Sequence, residues 1–135
     1  MTWNRVVTAD VFWDIPRGGI AFYGDRLVAY RNLWDEAADD YADCYALAPV
    51  DPALLPLIEE RWAIWIRWSD ARVRGDAPPE THPALPDDRQ RYDTLCGIIG
   101  PQIEIDEKCC LRRRAEFRWI GRGWNGYEVR WSPCL

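Results

Sequence analysis

From Ala115 to Trp131 the chain alternates. Ala115, Phe117 and Trp119, then Tyr127, Val129 and Trp131, are apolar, and Glu116, Arg118, Glu128 and Arg130 lie between them. A period of two marks strands with one buried face. The charges fix the register: pairing Trp119 with Tyr127 and Phe117 with Val129 opposes Arg118 to Glu128 and Glu116 to Arg130. A two-residue slip would set Arg118 against Arg130. The pattern predicts a hairpin with strands at 115–120 and 127–131, and a loop over 121–125 that carries Trp124.

The N-terminal third reads as further strands. Residues 5–15, RVVTADVFWDI, are rich in β-branched and aromatic side chains. Pro16-Arg17-Gly18-Gly19 is expected to end that strand, since proline removes a ladder donor and glycine permits positive φ. Ile20–Tyr23 and Leu27–Leu33 flank Gly24-Asp25, a two-residue hairpin turn with glycine first. Trp34–Asp40 is a polar connection. Tyr41–Ala48 alternates bulky and small residues, as a further strand would.

The middle of the chain switches to a helical period. Asp51-Pro52 is a helix start, with Pro56 moving the regular helix to about its own position. Leu54, Ile58, Trp62, Trp65, Ile66 and Ser69 form one stripe, opposite Glu59, Glu60, Ala63, Arg67 and Asp70, ending near Arg74-Gly75. Residues 76–86 hold four prolines and are an extended loop. A second helix from about Asp87 aligns Tyr92, Leu95, Cys96 and Ile99 before Gly100-Pro101 stops it. Residues 102–106, QIEID, are read as a short strand.

The expected architecture is a single α+β domain over 1–135. An antiparallel sheet of about four N-terminal strands plus the C-terminal hairpin packs on two helices. Four of the nine tryptophans, Trp62, Trp65, Trp119 and Trp131, fall on apolar faces and are expected in the core. Trp34, Trp68 and Trp124 fall at element ends or a loop tip and are expected at the surface.

Composition adds constraints. The 135 residues are 48% hydrophobic and 29% charged, far from the disordered range. The net charge of −5 is uneven: residues 1–60 carry eleven acids against four bases, and residues 61–135 eleven against thirteen. An acidic front half argues against a nucleic-acid partner. Sixteen arginines against one lysine fit GC-rich prokaryotic coding. Five cysteines at irregular spacing do not make a disulfide framework. With no secretory pattern in MTWNRVVTADVFWD and no apolar stretch near the roughly 18 residues of a membrane span, cytoplasm is the expected compartment.

Candidate chemistry is sparse. Asp35, Glu36, Asp39, Asp40 and Asp43 are the densest charge feature, but lack the ligand spacing and central glycine of an EF-hand loop. His82 with Cys109 or Cys110 would be needed for a nucleophile–base dyad, and no signature surrounds them. Arg17-Gly18-Gly19 lacks the following helix and Lys-Ser/Thr of a phosphate loop. Arg112, Arg113, Arg114, Arg118, Arg122 and Arg130 make a basic stretch that Glu116 and Glu128 partly neutralise. Pro86-Asp87 followed by Asp106-Glu107-Lys108 resembles, over five residues, the Pro-Asp…Asp/Glu-x-Lys pattern of a large nuclease superfamily. That resemblance implies magnesium-holding carboxylates, yet Asp87 opens a helix where the superfamily places its aspartate on a core strand.

These features point to a non-enzymatic prokaryotic interaction factor of the inhibitor or immunity type, with no cofactor. It would dock on a basic protein surface through Trp34, Asp35, Glu36, Asp39, Asp40, Trp68 and Trp124. Homo-oligomerisation stays open. The alternatives are a small-molecule-binding domain with an aromatic pocket and a metal-dependent, nuclease-like hydrolase.

Overall fold

The computed structural model describes residues 2–134. Its chain gathers into two units, one of residues up to Pro52 together with those from Ile103 on, the other of Ala53–Gln102. The first carries the strands β1 (Asn4–Arg5), β2 (Val11–Trp13), β3 (Ile15–Tyr23), β4 (Arg26–Asp35), β5 (Asp40–Pro49), β6 (Leu111–Trp119) and β7 (Tyr127–Pro133). The second carries α1 (Leu55–Val73) and α2 (Arg89–Ile99). The α+β class stands, with five strands rather than about four before the helices.

All pairings are antiparallel, in the order β1-β7-β6-β5-β4-β3-β2. β1 pairs with β7, Asn4 opposite Val129. The residues after it reach the far side of the sheet: Val6 bridges Ala21, and the Val7 and Thr8 N–H groups donate to the Ile20 carbonyl at 2.8 and 3.0 Å. The sheet therefore curls until its first strand meets its third, forming a small barrel of β1, β7, β6, β5, β4 and β3. Closure removes free edges, and a barrel this narrow is filled by its own side chains.

That filling is aromatic. Tyr30, Tyr45 and Trp131 are buried with Leu47 and Val129, and Phe117 packs against them. Their ring centroids lie 5.7–6.4 Å apart in edge or tilted contacts, the geometry that ring quadrupoles favour. Each polar tip is satisfied. The Tyr30 hydroxyl donates to the Thr8 carbonyl, the Tyr45 hydroxyl to the Pro16 carbonyl (both 2.8 Å), and Trp131 Nε1 to the Phe22 carbonyl at 2.9 Å.

Burial pushes the Tyr45 phenol from its ordinary 10.0 up to about 12, against the opposing pull of Arg17. It raises Tyr30 as well, helped by the charge of Asp10. Unfolded tyrosines ionise first, so this contribution is whole below pH 10 and is lost as pH climbs toward 12. For Tyr45 the loss amounts to about 2–3 kcal/mol. Denaturation midpoints should fall across that window, with phenolate absorbance from these two rings appearing only on unfolding. Tyr45→Phe should flatten the slope, and a profile unchanged by Tyr45→Phe would contradict the burial.

The C-terminal hairpin has the register read from the sequence: Trp119 faces Tyr127, Phe117 faces Val129, and Arg118–Glu128 and Arg130–Glu116 form ion pairs at 2.7 and 2.6 Å. Gly24-Asp25 is the two-residue turn between β3 and β4, Gly24 at φ 63°. Residues 5–15 require correction. The chain bends at Ala9-Asp10 and reverses at Asp14, whose φ is 66°, so Pro16-Arg17-Gly18-Gly19 lies inside β3 rather than ending a strand. Gly19 is there because two backbones nearly touch. A Cβ on it would stand 2.8 Å from Thr8 Oγ1 and 2.9 Å from the Thr8 carbonyl carbon. Residues 102–106 are not a strand: Gln102 closes a 3₁₀ turn begun at Gly100, and 103–106 are irregular.

In the helical unit, α1 begins one residue before Pro56 after a 3₁₀ turn at Pro52–Leu54, and α2 follows the 3₁₀ turn Pro86–Asp88. The buried positions of α1 are Ile58, Trp62, Ile64, Trp68 and Ala71. The stripe is thus rotated from the predicted one, with Trp65 and Ile66 half-buried at its margin. Trp62 and Trp65 stack at 4.9 Å. Arg91–Glu60 and Arg67–Asp88 tie α2 and the turn before it to α1. Among the described residues no helix is long and apolar enough to cross a membrane.

Candidate protein-interaction surface

Antiparallel register sends the β2–β3 reversal, the β4–β5 turn and the β6–β7 turn to the same end of the barrel. Gly18 pairs with Arg31, Trp34 with Tyr41, and Cys44 with Arg114. The β4–β5 turn is held by its own side chains. Asp35 Oδ1 accepts the Ala37 and Ala38 N–H groups at 3.0 and 3.3 Å, and Asp40 Oδ1 accepts Tyr41 N–H at 2.7 Å. Asp39 takes φ 50°.

Asp35 stands directly across the ladder from Asp40, a like-charge pair that costs stability. Glu36 and Asp39 are exposed beside them. None of the four forms an ion pair among the described residues. Concentrated, uncompensated charge of this kind works against folding and suits a surface kept for another purpose.

Aromatic rings rise from the same end. Trp34 is 53% exposed and meets the Tyr41 ring edge-on at 5.2 Å. Arg17 braces the group: its guanidinium lies 4.3 Å from the Tyr41 ring centroid, Nε donates to the Trp13 carbonyl, and Nη1 donates to Asn32 Oδ1. Asn32, buried, donates in turn to the Ala42 and Cys44 carbonyls. Trp13, just before the Asp14 reversal, is 68% exposed. On the β6–β7 side, Trp124 meets Phe12 edge-on at 5.1 Å, and a cleft of about 230 Å³ opens between Trp119, Gly123, Trp124 and Tyr127.

The structure thus gathers Trp34, Asp35, Glu36, Asp39, Asp40 and Trp124 at one end of the barrel. Trp68 does not join them. It is 9% exposed within the helical unit, packed with Ala71 and Ala77, its Nε1 donating to Thr81 Oγ1 at 2.8 Å and its ring against His82. Its expected place at the surface is therefore corrected: three residues on, Ala71 faces the same way and seals it. Trp119, expected in the core, is 58% exposed, because β6 runs past the barrel mouth before it ends. Sequence reasoning passed over Trp13. The alternation of Val11, Trp13 and Ile15 was legible, but not that this face lies beyond the barrel wall.

No protein-family model matches the chain, and no curated protein or solved structure is similar to it.

The other candidate chemistry finds no support in the elements that carry it. Asp87 lies in a 3₁₀ turn of the helical unit, whereas Asp106, Glu107 and Lys108 lie in an irregular stretch of the sheet unit, and Glu107 pairs with Arg31 at 3.1 Å. Neither half of the nuclease-like pattern is on a strand. Cys44 and Cys134 are joined in a disulfide, leaving Cys96, Cys109 and Cys110 as free thiols. No group of three or more His, Cys, Asp or Glu among the described residues is placed to hold a metal ion.

Proposed function

We propose that this protein is a non-enzymatic interaction factor of the inhibitor or immunity type, which blocks a partner by docking one end of its barrel on the partner's basic surface. The observation that carries this reading is that exposed indoles, Trp13, Trp34 and Trp119, share that end with four carboxylates that form no ion pair among the described residues. Exposed aromatics supply large contact area at small entropic cost, and interface hot spots are enriched in them. The carboxylates at 35, 36, 39 and 40 steer and orient a cationic partner. Their charge also selects the occupant, since an acidic or neutral surface would leave them desolvated without a counter-charge.

The test compares capture from the native host's extract by wild-type protein, by a variant with Asp35, Glu36, Asp39 and Asp40 all changed to lysine, and by Trp34→Ala. The expected result is a basic protein retained by the wild type, with affinity at least tenfold weaker in both variants, and a shallower salt dependence in the charge variant. Trp34→Ala should keep the wild-type unfolding midpoint, as the indole is exposed. The charge variant loses the turn hydrogen bonds of Asp35 and Asp40, so its own midpoint is measured and its affinity read only on folded protein. Equal retention by all three would sink the proposal, and so would a captured partner that is acidic.

A further inference from the structure

At the opposite end of the barrel, the β3–β4 turn, the start of β6 and the end of β7 surround a second cleft of about 350 Å³. Tyr23, Arg113, Trp131 and Ser132 line it with Thr2 and Asn4. Arg113 is the unusual member. It belongs to the inward-facing series that continues through Ala115 and Phe117, and it is half-buried. Nε donates to the Tyr23 hydroxyl at 3.1 Å, across the barrel, and Nη1 donates to the Arg112 carbonyl at 2.8 Å. A guanidinium has five N–H donors. Among the described residues three therefore have no partner, one on Nη1 and both on Nη2.

No carboxylate of a described residue pairs with this cation. The contrast lies in the same hairpin, where outward-facing Arg118 and Arg130 each hold a glutamate. With both Nη2 hydrogens and one on Nη1 unpartnered among the described residues, the guanidinium can grip a carboxylate through two parallel hydrogen bonds. Beside it stand the Tyr23 ring, 5.6 Å from the guanidinium carbon, and the Trp131 indole. The neighbours Arg112 and Arg114 alternate to the outward face, so the cleft offers one positive charge, matched to a single negative one.

We propose that this cleft binds a small monoanionic carboxylate with a flat apolar body. The carboxylate sits on the Arg113 fork, the body lies against Tyr23 and Trp131, and the Ser132 and Thr2 hydroxyls stand at the rim. The site is at the other end of the barrel from the docking surface and does not depend on it.

Benzoate is the probe, followed by the indole N–H resonance of Trp131 and the backbone amides of Arg113 and Ser132. Saturable shifts at these positions are expected, with acetate weaker for lack of a body and inorganic phosphate weaker for its second charge. Arg113→Gln should weaken benzoate at least tenfold. Arg113→Lys, which keeps the charge but not the fork, should fall between, and Arg114→Gln should match the wild type. The shifts in wild-type protein decide the matter even if Arg113→Gln does not fold. Benzoate shifts confined to other parts of the chain, equal affinity in folded Arg113→Gln, or phosphate binding tighter than benzoate would each overturn the assignment.

Discussion

Cleaving the Cys44–Cys134 bridge is expected to lower the unfolding free energy by about 4.6 kcal/mol, the chain-entropy value for a closed loop of this size. The bridge spans 90 residues of sequence with its Cα atoms 6.0 Å apart. It clamps β5 to the end of β7 across β6: Cys44 pairs with Arg114, and Arg114 with Ser132. Two strands separated by a third stand about 10 Å apart in a flat sheet, so the curl of the barrel and the bend past Pro133 bring the sulfurs together. Denaturant midpoints with and without reductant measure the effect. Cys134→Ser should reproduce it, and adding Cys44→Ser should cost nothing further. Denatured, unreduced protein should titrate three thiols, those of Cys96, Cys109 and Cys110. Five would show the bridge absent. Such bridges persist in oxidising compartments and are reduced in the cytosol, so the thiol count of freshly isolated protein also bears on the cytoplasmic expectation.

Trp131→Ala is expected to cost about 3–5 kcal/mol, the range for truncating a buried large aromatic. The indole touches Tyr30, Tyr45 and Phe117, with centroids 6.1–6.4 Å away, and its removal empties the centre of the barrel. It also leaves the Phe22 carbonyl without its 2.9 Å donor. Trp119→Ala is the informative comparison. It occupies the matching face of the neighbouring strand, yet it is 58% exposed and should cost about 1 kcal/mol or less. Chemical unfolding of the two variants side by side tests the barrel directly. Similar losses at both positions would contradict a core that ends short of Trp119.

How far each element could be read depended on the range of the interaction that shapes it. The register of the C-terminal hairpin was legible because its information is local: alternation sets the faces, and the pairs Arg118–Glu128 and Glu116–Arg130 choose one register over its neighbour. Its first strand, however, begins at Leu111, four residues before the alternation does. The Gly24-Asp25 turn and the positions of both helices were legible for the same reason, through turn chemistry and a repeating period, although the buried stripe of α1 is rotated from the one the period suggested. The acidic segment was visible as composition, and the structure adds its placement on the tip of a hairpin beside Trp34 and Tyr41.

Closure of the sheet was not legible. It rests on Val6–Thr8 crossing to β3, a contact whose signal is one glycine, Gly19, where a side chain would strike Thr8. That crossing decides which apolar residues lie inside. Tyr30, Tyr45 and Trp131 fill the barrel, while Trp13 and Trp119 share its alternation but project past its mouth. It likewise sets Tyr23 against Arg113 and brings Cys44 within reach of Cys134, pairs 90 residues apart in each case. The sequence alone determined the two helices, the hairpins about Gly24-Asp25 and 121–125 with their register, and where the charge gathers, since these follow from neighbours along the chain or across a single turn. Which tryptophans face solvent, and which groups meet at either end of the barrel, only the tertiary structure decided, because curvature and closure are properties of the whole sheet.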